Sequence, residues 1–280
     1  MNKIFLIAEI GINHNGSLEL AKRLIDQAVE EKWDAVKFQK RNVEKVIPKD
    51  KWYTKHEDRN GNIVDYIEYK KSLELSRKDY DEIDRYTKER GIKWFASAWD
   101  IDSLKFLDKY DLPFNKIASA MLTNSEFLKE VAKRKKLTFI STGMSEISDI
   151  DNAVEIFRKH NCPFILMHCT GIYPCPPDKI NLRVINMLRQ RYNVEIGYSS
   201  HHPGILDAPL AVMLGTKYIE KHITLDRSMW GSDQSASIER PGMRYIRRNV
   251  DIVETMLGSG KKELYKKEQE IAHKLRYWEW

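Results

Sequence analysis

Eight short apolar runs recur along the chain, and most are followed by a stretch whose apolar positions repeat every three or four residues. The runs cover residues 4–9, 35–39, 93–98, 114–117, 138–142, 164–168, 195–198 and 218–224. Short apolar runs bounded by turn residues predict strands. Between the first two, residues 17–32 carry Leu18, Leu20, Ala21, Leu24, Ile25, Ala28 and Val29 at helical spacing, with Ser17 placed as an N-cap. Helical spacing returns over 78–90, 101–109, 125–132, 147–159, 181–191 and 206–214, and residues 242–256 predict a closing helix. Strands alternating with helices make parallel βαβ units, and eight such units predict an α/β fold, the (β/α)8 TIM barrel. A doubly wound open sheet is disfavoured, because no G-x-G-x-x-G turn follows the first strand.

Two segments fall outside this repeat. Residues 40–75 are charged and turn-rich ("HEDRNGN") and read as a long loop, either a lid or a solvated excursion. Residues 258–280 read as a C-terminal tail with a solvated lysine face and an aromatic end that packs on the barrel or on a partner chain. Residues 1–257 are then one barrel domain.

Composition narrows the function. Hydrophobic residues make up 42% and charged residues 31% of the 280, as in a folded globular chain. The formal charge of +6 is too small to imply nucleic acid, and it suits an anionic substrate. The three cysteines, Cys162, Cys169 and Cys175, form no C-x-x-C pair, which argues against a disulfide framework and for a cytoplasmic enzyme. Glu9 interrupts the first apolar run before it reaches signal-peptide length, and no run approaches the roughly 20 apolar residues of a membrane span.

Every predicted strand ends in polar residues. They are Glu9; Lys37 and Gln39; Ser97; Lys116 and Ser119; Ser141 and Thr142; His168; Ser199 and His201; and the run Glu220–Lys221–His222. In a barrel these ends converge on one mouth, where the active site lies. His201 and His222 end consecutive strands and could bind a divalent metal, although on spacing alone a structural histidine is the commoner fate of either. His202 reads as a surface residue and Cys169 as a small buried one. Lys37 and Lys116 could hold a phosphate together with Ser119, or could pair with carboxylates such as Glu9. Strand alternation turns Lys221 away from Glu220 and His222, toward an outer-face ion pair.

"IAEIGINHNGSLELAKRLIDQA", "AVKFQK", "KIASA", "ISTGMS", "LMHCTGIYPCP", "IGYSSHHPG" and "YIEKHITLDRSMWGSDQSAS" together resemble the sialic acid (N-acetylneuraminate) synthase family, in order and spacing, over about residues 4–256. The resemblance implies a (β/α)8 barrel that condenses phosphoenolpyruvate with N-acetylmannosamine or a related sugar, using Mn2+ or Mg2+. It implies His201 and His222 as metal ligands. It implies Lys37, Lys116, Ser119 and Ser199 around phosphoenolpyruvate. It implies Glu9, Gln39, Tyr173, Glu220 and Asp233 around the sugar and the reacting centre, with Glu9 or Glu220 handling protons. A homo-oligomer, a dimer, is implied as well.

The chain departs from the family pattern at several places. Met121 stands where a functional glutamate is expected, and Gly171 where some members carry a polar side chain. Ser200 replaces an aspartate and Gln234 a histidine, while Asp233 is kept. The resemblance is to the barrel domain, without the C-terminal antifreeze-like domain that supplies an arginine to the sugar; residues 40–75 or the tail would have to replace it. Three other readings stay open at this point. They are a related synthase acting on another sugar, a sugar-binding homologue without turnover, and a metal-dependent barrel hydrolase.

Overall fold

The computed structural model of the chain describes residues 3–279. Strands β1 (Phe5–Gly11) and β2 (Ala35–Lys40) precede a hairpin, β3 (Lys55–Glu57) and β4 (Ile63–Asp65). Six further strands follow: β5 (Lys93–Ala98), β6 (Asn115–Ile117), β7 (Thr138–Ser141), β8 (Phe164–Cys169), β9 (Ile196–Ser200) and β10 (Tyr218–His222). Apart from the hairpin they close into a parallel barrel in the order β1-β10-β9-β8-β7-β6-β5-β2. All eight predicted strands are present, within a few residues at each end.

The helices are α1 (Leu18–Glu30), α2 (Val43–Val46), α3 (Tyr66–Ser72), α4 (Arg77–Arg90), α5 (Ile101–Leu107), α6 (Ser125–Ala132), α7 (Ile147–Lys159), α8 (Val184–Tyr192), α9 (Asp207–Met213), α10 (Arg240–Leu257) and α11 (Lys266–Leu275). Ser17 caps α1 as expected, its hydroxyl accepting from the Leu20 N–H (3.3 Å). The closing helix α10 is tied to α1 by Arg240 and Arg244, both paired with Glu31. Arg247, on the same helix, donates to the Ile4 carbonyl and pairs with Asp34. No helix among the described residues is long and apolar enough to cross a membrane.

The barrel interior is dry at one end and polar at the other. Phe5, Phe95, Phe114, Phe139 and Tyr218 pack ring against ring, with centroids 5.1–6.0 Å apart, and stop the N-terminal end. Two residues further along from four of these rings come Ser97, Lys116, Ser141 and Glu220 in the opposite half, joined by Lys37 of β2.

The excursion over residues 40–75 has more structure than its charge suggested. Its hairpin turns at Asp58, whose carboxylate accepts the N–H groups of Asn60 and Asn62 (2.8 Å each), with Gly61 in the left-handed region. Ile12, Tyr69 and Leu73 form a small separate core with Val64, Tyr66 and Trp230, so the excursion leans over the barrel mouth. Gly16 fits only because it lacks a side chain. Its φ is +73°, and a Cβ would lie 2.0 Å from the Ser72 carbonyl oxygen.

Candidate active site

Ten of the eleven residues singled out from the sequence line one cavity of about 60 Å3 at the C-terminal ends of the strands. They are Glu9, Lys37, Gln39, Lys116, Ser119, Tyr173, Ser199, His201, Glu220 and His222. Asp233 lies beside it, with Oδ2 4.0 Å from Nδ1 of His222. Trp99, Met144 and Cys169 also line it, with Ser97, Ser141 and the small residues Ala118 and Ala120. Trp99 and Met144 follow β5 and β7 by one and three residues, and nothing in their residue type marked them in the sequence.

The registers explain the convergence. Glu9 is paired with both His222 and Lys37, Glu220 with Ser199, and Ser97 with both Gln39 and Lys116. Lys37 lies 2.8 Å from Glu9 and 3.7 Å from Glu220, and Lys116 lies 3.2 Å from Glu220. Ser199 donates to Glu220 (3.0 Å), Gln39 donates to Glu9 (2.8 Å), and Lys116 donates to Ser141 (2.5 Å). All four charged residues are buried. The carboxylate pairing open to Lys37 and Lys116 is therefore present, and it lies inside the mouth.

This arrangement separates the two carboxylates. Burial, reinforced by the Glu220 charge and opposed by Lys37, raises Glu9 to about 7. Burial would raise Glu220 too, but Lys116 and Lys37 outweigh it and hold Glu220 down. One carboxyl thus stays charged between two lysines while its neighbour exchanges a proton near neutrality. Such a split marks acid–base chemistry.

The two imidazoles face each other with ring centroids 5.5 Å apart. Nδ1 of His201 donates to the Thr170 carbonyl (2.7 Å), which leaves its Nε2 lone pair in the mouth. The Tyr173 hydroxyl donates to that Nε2 (2.5 Å), and its ring stacks on His201. Burial lowers His222 to about 4, so it is neutral, and its buried Nδ1 has no hydrogen-bond partner. His201, with Nε2 turned into the mouth, and neutral His222, with an unsatisfied nitrogen, suit a divalent ion that keeps positions open for water or substrate. Among the described residues no third His, Cys, Asp or Glu is gathered with them.

Beside Cys169, whose sulfur is 3.9 Å from Nδ1 of His201, is a cradle of small groups. The Gly143 N–H donates to Ser119 Oγ (3.1 Å). A Cβ at Gly143 would lie 2.8 Å from that oxygen and 3.3 Å from the Gly171 nitrogen. Gly171, noted for its missing polar side chain, instead makes room for Met144, whose Cγ would be 2.6 Å from an added Cβ.

Three sequence readings gain detail on this structure. Lys221 turns away from the mouth into the expected outer-face ion pair, which is buried between β10 and α9. Its Nζ lies 2.9 Å from Asp207 Oδ1 and donates to the His202 and Gly204 carbonyls (2.8 Å each). His202 is half-buried, its Nδ1 donating to the Cys175 carbonyl (2.9 Å), because the Lys221 network pulls its loop inward. Met121 lies in the 3-10 turn Ser119–Met121 and borders a cleft with Lys45, Trp99 and Asn124, while Ala120 borders the mouth.

Comparison with known proteins identifies the family. Residues 24–262 match the NeuB family. The human N-acetylneuraminate-9-phosphate synthase is 38% identical over 272 residues, which are 97% of this chain and 76% of that protein. The Campylobacter jejuni N,N'-diacetyllegionaminic acid synthase is 34% identical over 280 residues, covering 99% of this chain and 84% of that protein. The crystal structure of N-acetylneuraminic acid synthetase from Leptospira borgpetersenii, in complex with citrate, superposes with a TM-score of 0.86 at 34% identity and covers 99% of this chain and 93% of that one. The chain belongs to the NeuB family, that of the sialic acid synthases its motifs resemble.

Proposed function

We propose that this enzyme condenses phosphoenolpyruvate with N-acetylmannosamine or a related aldose to give a sialic-acid-like 3-deoxy-2-ulosonic acid and phosphate. The observation that carries the reading is the buried Lys37–Glu9 and Lys116–Glu220 cluster facing the His201–His222 pair across one mouth. In the reaction, C3 of phosphoenolpyruvate bonds to the carbonyl carbon of the open-chain sugar, whose oxygen takes a proton. Water adds at C2, and the C2–O bond to phosphate breaks.

Lys116, Ser119 and the Gly143 cradle hold the phosphate, and Lys37 and Ser199 hold the rest of phosphoenolpyruvate. Cations fixed around the departing phosphate stabilise its charge without reorganising. Glu9 takes the proton of the water that adds at C2, and Gln39 aims its carboxyl. Glu220 stays charged and keeps both lysines in register. His201 and His222 would hold Mn2+ or Mg2+, which polarises the sugar carbonyl when bound. Tyr173 and Asp233 border the sugar. The enzyme acts in the cytoplasm as a homo-oligomer in this reading. The human relative is named for a 9-phosphate product and the Campylobacter one is not, so the acceptor's phosphorylation is a property of each chain.

The test is phosphate release from phosphoenolpyruvate with a panel of acylamino aldoses and their phosphates, with and without Mn2+, beside His222→Ala. Metal-dependent release that the variant lacks is the expected result. Absence of release with every acceptor and metal would remove the synthase reading.

A further inference from the structure

A second cavity, of about 200 Å3, adjoins the mouth, with Trp99 bordering both. The excursion over residues 40–75 builds most of its wall, including Arg41, Tyr66, Lys70 and Glu74. Its electrostatics are unbalanced. Lys40 takes Glu74 as its partner at 2.7 Å, and the Arg41 guanidinium reaches the same carboxylate only at 4.0 Å. No carboxylate among the described residues lies within ion-pair distance of Lys70, whose ammonium instead sits over the rings of Tyr69 and Tyr66, 4.9 and 5.2 Å from their centroids. Two cations thus share one carboxylate, and the third has none within ion-pair distance. Burial lowers the proton affinity of Lys70, and the Arg41 charge lowers it further, with Asp233 opposing. Cations held this close without enough counter-charge stabilise an anion that enters between them.

The place of this surplus gives it meaning. Arg41 donates to the side-chain oxygen of Gln39, and the amide nitrogen of Gln39 donates to Glu9. One amide therefore separates the guanidinium from the proposed acid–base group. The guanidinium also lies over the Trp99 ring, 4.2 Å from its centroid, a cation–π contact that holds it in place. A sugar whose carbonyl faces the histidines would point its far end into this cavity.

We infer that Arg41 and Lys70 bind the phosphate of a phosphorylated acceptor, so that the enzyme takes a sugar phosphate and gives a phosphorylated nine-carbon acid. A phosphate monoester brings about −1.5 to −2 charge at pH 7, which the surplus cations match, and its oxygens suit a guanidinium fork beside an ammonium point charge. An uncharged hydroxymethyl end would leave both cations unanswered. The inference rests on the synthase reading and adds the chemical class of its acceptor.

The experiment compares kcat/KM for N-acetylmannosamine and its 6-phosphate in the wild-type enzyme, Lys70→Met and Arg41→Met. Methionine keeps most of the lysine stem against Tyr69, and circular dichroism checks that each variant folds. The wild type should prefer the phosphorylated acceptor at least 30-fold. Each variant should raise the KM for that acceptor about 10- to 100-fold, the loss expected for a charged hydrogen bond, and the preference should collapse toward one. Lys70→Met decides the matter, because Arg41→Met also frees Gln39. Equal use of both acceptors by the wild type, or a preference that survives Lys70→Met, overturns the inference. If neither acceptor turns over, titration calorimetry separates the two claims. Tighter binding of the 6-phosphate, lost in Lys70→Met, keeps this site while the synthase reading falls; equal binding removes both.

Discussion

Lys221 offers the sharpest test of what holds the mouth together. Its ammonium is buried and touches both Asp207 carboxylate oxygens (2.9 and 3.0 Å), Ser200 Oγ (3.2 Å) and the carbonyls of His202 and Gly204. Replacing it with methionine keeps the stem and removes the charge. Asp207 is then left with the Tyr198 and Ser200 hydroxyls, and two buried carbonyls lose their donor. Removing one partner of a buried ion pair costs about 3–5 kcal/mol. With an unfolding entropy of about 2.1 cal/mol/K per residue, a chain this long should lose about 5–8 °C in its melting midpoint. Thermal and urea melts of Lys221→Met, Asp207→Asn and the double variant measure this as a cycle. The double variant should fall well short of the sum, with coupling above about 1 kcal/mol. The loop from His201 to Gly204 should loosen, so Mn2+ affinity should fall with stability. A loss under about 1 kcal/mol, or additive losses, would refute the assignment of Lys221 as the anchor of that loop.

Three other outcomes follow from the same geometry. Gly16→Ala forces a Cβ against the Ser72 carbonyl and needs a positive φ, so it should cost about 2–3 kcal/mol and raise protease cleavage within residues 40–75. Arg244 and then Arg240 outweigh the effect of burial and hold Glu31 below the ordinary carboxylate range, so its contribution is present at neutral pH and is lost as pH falls through that lowered pKa. The melting difference between wild type and Glu31→Gln should therefore be largest near pH 7 and vanish in acid; a difference independent of pH would contradict this. Tyr173→Phe removes the hydroxyl that occupies Nε2 of His201, so titration calorimetry should find Mn2+ bound about 2- to 10-fold more tightly.

The barrel and most of its mouth were readable because period-two alternation and the strand ends are local signals. Glu9, Lys37, Lys116, Ser199, Glu220 and His222 are chemically conspicuous residues on buried strands, and closing the barrel brings them together. The hairpin of β3 and β4 was hidden because its strands are three residues long, one of them Lys-His-Glu and the other Ile-Val-Asp, too short for an apolar alternation to mark them. The buried partner of Lys221 was hidden for another reason. Alternation gives the direction of a side chain, but only packing against α9 shows that Asp207 waits there. Trp99 and Arg41 escaped notice because their role depends on the path of the excursion, which no local pattern sets.

The ring-packed floor of Phe5, Phe95, Phe114, Phe139 and Tyr218 makes the barrel a vessel with a single door. Whatever binds at Lys116 and Ser141 must pass the rim where Tyr173, Gln39 and Trp99 stand. In the proposed reaction, phosphoenolpyruvate occupies the deeper place and the sugar the shallower one. A sugar already seated would cork the vessel. On that reading the vessel sets a sequence on arrival, with phosphoenolpyruvate first and the sugar second, and on departure the nine-carbon product clears the doorway before the deeper phosphate.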